Sequence, residues 1–334
     1  MKAIGYRVPS PIDAPEALID LDLPKPAATG RDLLVAVKAV SVNPVDAKVR
    51  VSRKPAEGQA EILGYDAAGI VEAVGPEVTL FKVGDPVYYA GAIDRPGSNA
   101  EFQLVDERIV GRKPASLTFA EAAALPLTAI TAWELLFDRL GATRDSVGGL
   151  LVTGAGGGVG SILVQIARKL TGLTVIGTAS RPETIDWVKA LGAHHVIDHG
   201  GDLVAQVKAL DIPPVGLIAS LTHTDVHFPA LVEILEPQGR VGVIDDAPSL
   251  DVNPLKRKSA SLHWEFMFAR PLFKTPDMIA QHALLNAVAD MIDAGDLRTT
   301  LSQTLSPINA ANLKAAHAAI ESKRTRGKIV LEGF

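Results

Sequence analysis

Leu150-Leu151-Val152-Thr153-Gly154-Ala155-Gly156-Gly157-Gly158-Val159-Gly160 decides how the rest of the chain reads. An apolar run enters five glycines within seven residues, and the pattern predicts an amphipathic helix over Val159–Leu170. Glycine lets backbone N–H groups approach a pyrophosphate with no Cβ in the way, and a helix N-terminus adds partial positive charge. The spacing is not a strict Gly-x-Gly-x-x-Gly, because Val159 falls at the sixth place. Gly154, Gly157 and Gly160 instead fit Gly-x-x-Gly-x-x-Gly. The absence of a following Lys-Ser/Thr pair argues against a nucleoside-triphosphate loop. A tight strand-to-helix turn without a ligand is the alternative. The preceding strand, the following helix and a second strand about 20 residues on favour a dinucleotide.

That second strand, Leu173–Thr178, runs into Ala179-Ser180-Arg181. An NAD site places an acid here for the ribose 2′-hydroxyl, whereas an NADP site offers groups that accept a 2′-phosphate. Ser180 supplies a hydroxyl and Arg181 a charged fork, so the predicted cofactor is NADPH. An ordinary Ser-Arg-Pro helix start is the competing reading.

Outward from the loop, strand and helix alternate. Strands are expected at Gly149–Thr153, His195–Asp198, Gly216–Leu221 and Arg240–Asp245. Helices are expected at Pro182–Leu191, Leu203–Leu210 and Val226–Leu235. The repeat predicts an α/β doubly wound parallel sheet with helices on both faces. Residues 1–115 instead carry short apolar runs separated by turn residues, which reads as a compact barrel or sandwich. Thr118 and Glu121 form a capping box that opens a helix. After Pro248 the alternation fades. Helices are expected at Met278–Ala294 and Ala310–Ser322, and a last strand at Gly327–Glu332 returns to the N-terminal β unit. The domains expected are 1–125 completed by 266–334, and 126–265.

Composition narrows the function classes. The chain has 334 residues, a formal net charge of −5 and 5% aromatics, a poor match to a nucleic-acid binder. Cysteine is absent, which excludes disulfides, thiol nucleophiles and thiolate metal sites. Mean hydropathy is +0.21, and no apolar run approaches about 18 residues, so no membrane span is expected. The N-terminus lacks a signal peptide's apolar centre, which points to the cytoplasm.

Further segments carry a resemblance. Ser41-Val42-Asn43-Pro44-Val45-Asp46, Leu63-Gly64-Tyr65-Asp66-Ala67-Ala68-Gly69, Val83-Gly84-Asp85, Leu125–Trp133, the glycine loop and Gly327-Lys328-Ile329-Val330-Leu331 occur in one order. With them the chain resembles, over essentially its full length, the medium-chain dehydrogenases/reductases. It is most similar to their zinc-free, quinone-oxidoreductase-like branch, often labelled zinc-binding alcohol dehydrogenase family protein. Lys258–Phe268 points to one subgroup. The resemblance implies a GroES-like β-rich catalytic domain, a Rossmann domain, substrate bound between them, and a homodimer.

The resemblance also assigns residues. Zinc enzymes of this family hold their metal with a cysteine and a histidine where this chain has Asn43 and Tyr65. Amide and phenol are poor zinc ligands, so no metal is expected. Asn43 is then the first candidate hydrogen-bond donor to a developing oxyanion and Tyr65 the second, with Tyr88 and Tyr89 as an aromatic substrate wall. A turn-stabilising Asn before Pro44, and packing roles for the three tyrosines, stay open. Thr131 is placed near the nicotinamide, and Lys328 is expected to reach the cofactor phosphates. His199 is placed near the 2′-phosphate. Thr222 and Ile244 end strands that face the cofactor, beside Gly154, Gly157, Gly158, Val159 and Gly160 of the loop. Trp264 and Glu265 are weaker candidates for the carboxamide. His223 and His227 lie four apart and share a helical face, but the glutamate of a His-Glu-x-x-His motif is missing. The expected activity is hydride transfer from NADPH to a quinone or an α,β-unsaturated carbonyl. Zinc-type alcohol dehydrogenase activity and a non-enzymatic NADPH-binding role are the rivals.

Overall fold

The strand Gly149–Val152 is buried along its whole length. Such a strand needs a partner on each edge and cover on each face, and continuous apolar sequence is the mark of that position. Both edges are paired in parallel, to Thr174–Thr178 on one side and Val215–Ser220 on the other. The six-stranded sheet is parallel throughout. It runs His195–Ile197, Thr174–Thr178, Gly149–Val152, Val215–Ser220, Leu235–Val243, Ser261–Trp264. This is the doubly wound order, in which the chain starts at the centre and winds out to each edge. The outer strand Ser261–Trp264 is not apparent in the sequence, because its side chains are only partly buried and its polar residues break the apolar run.

The computed structural model describes every residue, Met1–Phe334. It divides into Thr131–Met267, which holds the parallel sheet, and Met1–Ile130 with Phe268–Phe334. The second unit is β-rich. Its seven-stranded sheet is built on the ten-residue strand Asp32–Ser41, which pairs antiparallel with Ala67–Val74, Phe102–Asp106 and Lys328–Glu332. A smaller antiparallel sheet joins Ile19–Asp22, Lys2–Tyr6 and Glu61–Ile62. The final strand therefore enters the N-terminal unit, as its sequence suggests, with Val330 opposite Ser41.

Two elements depart from expectation. Pro44–Ser52 is a helix in a region that reads as strands and turns. Phe119–Arg139 is a helical stretch of mean hydropathy 1.2, long and apolar enough to cross a membrane, although no such run is expected from the sequence. Its most apolar window is 83% buried in the protein, which makes it a core element. The capping box at its start is present: Glu121 N–H donates to Thr118 Oγ1 at 3.2 Å, and Thr118 N–H donates to Glu121 Oε2 at 2.8 Å.

Candidate functional site

The glycine turn is shaped by contacts that exclude side chains. Gly154 sits at φ +63, where a Cβ is strained, and its N–H donates to Thr178 Oγ1 at 3.0 Å. Thr153 Oγ1 accepts from Leu221 N–H at 2.9 Å, tying the turn to the next strand end. A Cβ on Gly160 would stand 2.6 Å from Ala155 Cα and from the Gly154 carbonyl oxygen. Gly157 is the N-cap of the helix Gly158–Leu170, and a Cβ there would meet only the Gly154 oxygen, at 3.4 Å. Gly157, Gly158 and Val159 are partly exposed. The first turn of this helix thus offers backbone N–H groups and the positive end of the dipole to an anion.

Around the turn lie the ends of the neighbouring parallel strands. Ser180 is exposed, and Arg181 is half-buried, with Nη2 donating to Thr184 Oγ1 at 3.3 Å and Nε 3.4 Å from Glu183 Oε1. Thr222 lies against the turn: a Cβ on Gly154 would come within 2.8 Å of Thr222 Cγ2. Ile244 is half-buried, its N–H donating to the Ser220 carbonyl at 3.3 Å. Thr131 is buried on the helix Pro126–Trp133. His199 and His227 place their rings 6.3 Å apart, edge to face, while His223 turns away to Thr222 Oγ1 at 2.9 Å. Burial and the neighbouring imidazoles hold His227 below the usual histidine range. The histidines form no group of three metal ligands.

The β-rich unit carries a buried polar network. Asn43 opens the helix Pro44–Ser52, and its N–H donates to Asp46 Oδ2 at 2.8 Å. Asp46 Oδ1 accepts from Gly64 N–H at 2.9 Å, joining the helix start to the Gly64-Tyr65-Asp66 turn. Burial pushes the Asp46 carboxyl up to about 7, against the pull of those two N–H groups and Lys328. Asp66 is fully buried. Its Oδ1 accepts from Leu127 N–H at 2.7 Å, and its Oδ2 accepts from Asn43 Nδ2 at 2.8 Å and Lys328 Nζ at 2.9 Å. Burial raises the Asp66 carboxyl, and the Lys328 ammonium opposes that rise. Lys328 also donates to the Val42 carbonyl at 3.1 Å and to Asn43 Oδ1. Asp46 and Asp66 were missed as site residues, although both stand inside the motifs quoted above. An acid three residues after Asn43 is the visible signal for the first.

This geometry bears on two expectations. Lys328, expected to reach the cofactor phosphates, has three N–H donors, and all three are engaged within the β-rich unit. Tyr88, a candidate for the substrate wall with packing as the alternative, has a packing role. Its ring is fully buried against the site of Gly111, and its hydroxyl donates to the Leu285 carbonyl at 2.6 Å. Tyr89 is also fully buried, with an unpartnered hydroxyl, and burial raises both phenols. Tyr65 is fully buried too, packed edge to face on Phe268 at 5.3 Å. Its hydroxyl has no protein partner, an orphaned donor where one is costly to leave unpaired. Burial and Asp46 raise the Tyr65 phenol, so it stays protonated.

Zinc fits this network poorly. The two positions where the resemblance would put a zinc-binding cysteine and histidine are an amide and a phenol here. The amide oxygen and the adjacent carboxylate already bind an ammonium that would repel a divalent cation.

A glycine turn at the head of a doubly wound sheet, in a chain that also carries a β-rich unit with a buried polar network, is the organisation of two-unit dinucleotide-dependent oxidoreductases. The alcohol dehydrogenase GroES-like domain family matches residues 29–131, and the zinc-binding dehydrogenase family matches residues 191–331. The zinc-type alcohol dehydrogenase-like protein SAV2186 of Staphylococcus aureus (strain Mu50 / ATCC 700699) is 41% identical over 339 residues, 99% of each chain. A 2-methylene-furan-3-one reductase of Solanum lycopersicum is 36% identical over 207 residues, 60% of this chain and 52% of its own. Among solved structures, a Rhizobium etli CFN 42 protein provisionally described as a zinc-dependent alcohol dehydrogenase has TM-score 0.97 at 59% identity, covering 100% and 98% of the two chains. The quinone oxidoreductase of Coxiella burnetii has TM-score 0.82 at 25% identity, covering 100% and 99%. A mycobacterial protein complexed with NADPH has TM-score 0.83 at 27% identity, covering 99% and 100%. The chain belongs to the medium-chain dehydrogenase/reductase superfamily, in its quinone-oxidoreductase-like part, and is an NAD(P)H-dependent oxidoreductase.

Proposed function

We propose that the protein is an NADPH-dependent reductase that delivers hydride to a quinone or an α,β-unsaturated carbonyl compound without a metal. The observation that carries this reading is the Asn43–Asp66–Lys328 ring, a hydrogen-bonded charge network built on Asn43, the position where the resemblance would put a zinc-binding cysteine. Bound NADPH supplies the hydride from its nicotinamide ring. The glycine turn and the helix Gly158–Leu170 bind its pyrophosphate, and Ser180 and Arg181 bind the 2′-phosphate, with His199 beside them. Thr131, Thr222 and Ile244 position the rest of the dinucleotide. The NADPH complex of the mycobacterial relative supports the cofactor, and the quinone oxidoreductase and furanone reductase relatives support the substrate class.

As hydride arrives, negative charge grows on the acceptor oxygen. Asn43 Nδ2 and the unpartnered Tyr65 hydroxyl are the donors for it, each worth about 2.7–4 kcal/mol in a preorganised site. Tyr65, held protonated by burial, donates a hydrogen bond more readily than a proton. A homodimer through the outer strand Ser261–Trp264 belongs to the same reading, since that strand ends the sheet and Trp264 is 54% exposed.

The test is steady-state NADPH oxidation with a panel of quinones and enals, with and without a zinc chelator, for the native protein and Arg181→Ala. Turnover is expected to ignore the chelator. Arg181→Ala is expected to weaken NADPH roughly 10- to 100-fold while leaving NADH little changed, since it removes a charge-assisted bond. Loss of turnover on chelation would restore the zinc reading; no turnover with any acceptor would leave dinucleotide binding alone.

A further inference from the structure

We propose that Lys328 and Asp66 are positioning residues whose joint task is to fix and polarise the side-chain amide of Asn43. The inference rests on the catalytic role proposed above for Asn43, and it replaces the phosphate-binding role expected of Lys328.

The hydrogen bonds leave one arrangement. Asn43 Oδ1 accepts from the Lys328 ammonium, and Asn43 Nδ2 donates to Asp66 Oδ2 at 2.8 Å. Flipping the amide would set its NH2 against an ammonium and its oxygen against a carboxylate. Two charges of opposite sign therefore dictate the orientation. The ammonium draws electron density toward Oδ1, which makes both Nδ2 hydrogens better donors. One of them is held by Asp66. The other has only the Ser41 carbonyl, at 3.5 Å, too long for a good bond. That second hydrogen is the one left to meet an acceptor oxygen.

The fold requires an acceptor for the Leu127 N–H here, but not a pair of charges. Lys328 is 3% exposed and Asp66 is fully buried, on strand and turn segments otherwise packed with aliphatic side chains such as Ile329, Val330 and Leu331. A buried ion pair is a weak source of stability, and apolar replacements of similar volume are often neutral or stabilising. Removing one partner alone is damaging, because the other is left charged and unpaired. The ring thus offers what an apolar core does not, a rigid and polarised amide donor.

Three variants separate the readings. Lys328→Met/Asp66→Asn removes the charges together, keeps an oxygen for the Leu127 N–H, and is expected to melt close to the native protein, so that its kinetics report on the amide. Lys328→Met alone probes the lysine, and Lys328→Arg keeps the cation. In the double variant, kcat is expected to fall about 100-fold with the NADPH dissociation constant within about twofold of native, matching the loss of one oriented donor. Lys328→Arg should recover part of it. A second readout needs no acceptor: the Asn43 side-chain 15N–1H2 resonances, assigned by loss in Asn43→Ala, should lie outside the ordinary asparagine range and return to it in the double variant and in Lys328→Met. Weakened NADPH binding with kcat retained would overturn the proposal in favour of phosphate contact. So would unmoved Asn43 resonances, or a folded double variant with native kcat. If the native protein reduces no acceptor, the proposed function fails, and the resonances still decide whether Lys328 polarises Asn43.

Discussion

His317 shows how much a single buried side chain can say about pH. It is fully buried, its Nδ1 lies 3.2 Å from Arg50 Nη1, and its Nε2 has no partner. Arginine can only donate, so Nδ1 accepts and the ring proton sits on Nε2. Arg50 is itself 1% exposed, donating from Nε to the Ser10 carbonyl at 3.2 Å and pairing with Glu321. Burial and this guanidinium lower His317 to about 3. A base with a depressed folded value takes up protons first in the unfolded state, so stability is lost as pH drops from about 6.5 toward 3. The loss should reach roughly 3 kcal/mol by about pH 4. His317→Asn keeps an acceptor near the Nδ1 position and removes the titration. Its melting temperature should start lower at pH 7 and fall less steeply on acidification. Parallel melting curves for both proteins from pH 7 to 4.5 would refute the assignment.

At the scale of elements, the turn at Gly154–Gly160 and the helix Pro44–Ser52 contrast in how far they could be read. The glycine turn was legible because its constraint is chemical: only a residue without Cβ fits 2.6 Å from backbone at Gly160, and sequence records that directly. The first helix was not, because Pro44 reads as a turn residue and Val45, Val49 and Val51 mimic a strand. Pro44 in fact occupies the first helical turn, where its missing N–H is harmless, and Asp46 caps Asn43 from within. The network of Asp66, Asn43 and Lys328 was hidden for another reason. It joins positions 262 and 285 residues apart, which no local pattern reports. The turn also offers a sharp test. Gly160→Ala collides with backbone and should destabilise the protein. Gly157→Ala meets ordinary packing and only weakens the N-cap, so its melting temperature should fall by no more than about 2–4 °C, the shift expected for about 1 kcal/mol. Its methyl group nevertheless stands at the helix N-terminus proposed to bind pyrophosphate. NADPH affinity, followed by fluorescence titration, should fall at least tenfold. Native affinity in Gly157→Ala would move the pyrophosphate elsewhere.

For the molecule as a whole, the telling feature is that its β-rich unit is closed by the far end of the chain. Lys328–Glu332 lies between Asp32–Ser41, antiparallel, and Leu301–Leu305, parallel. Helix Ala310–Glu321 brings His317 and Glu321 to Arg50, and Asp20 Oδ1 accepts from Ala310 N–H at 2.9 Å. The first 130 residues therefore contain most of a sheet but not all of its core. Ile329, Val330 and Leu331 are each 1% exposed or less. Burying such side chains contributes about 1.5–3 kcal/mol apiece, so the three together supply roughly 5–9 kcal/mol. Domain stability is only about 5–15 kcal/mol in total. Deleting residues 328–334 also exposes the edge of Asp32–Ser41 and strips Asp66 and Asn43 of their ammonium, leaving a buried carboxylate short of its partner. The truncated chain is expected to lose the cooperative thermal transition of the β-rich unit and to accumulate as insoluble protein. A control with alanine at Glu332 and Phe334, which lie outside the buried run, should melt like the native protein. If the truncated chain stays soluble with a native melting temperature, the closing role of the last strand is wrong, and with it the claim that the two ends of the chain build one core.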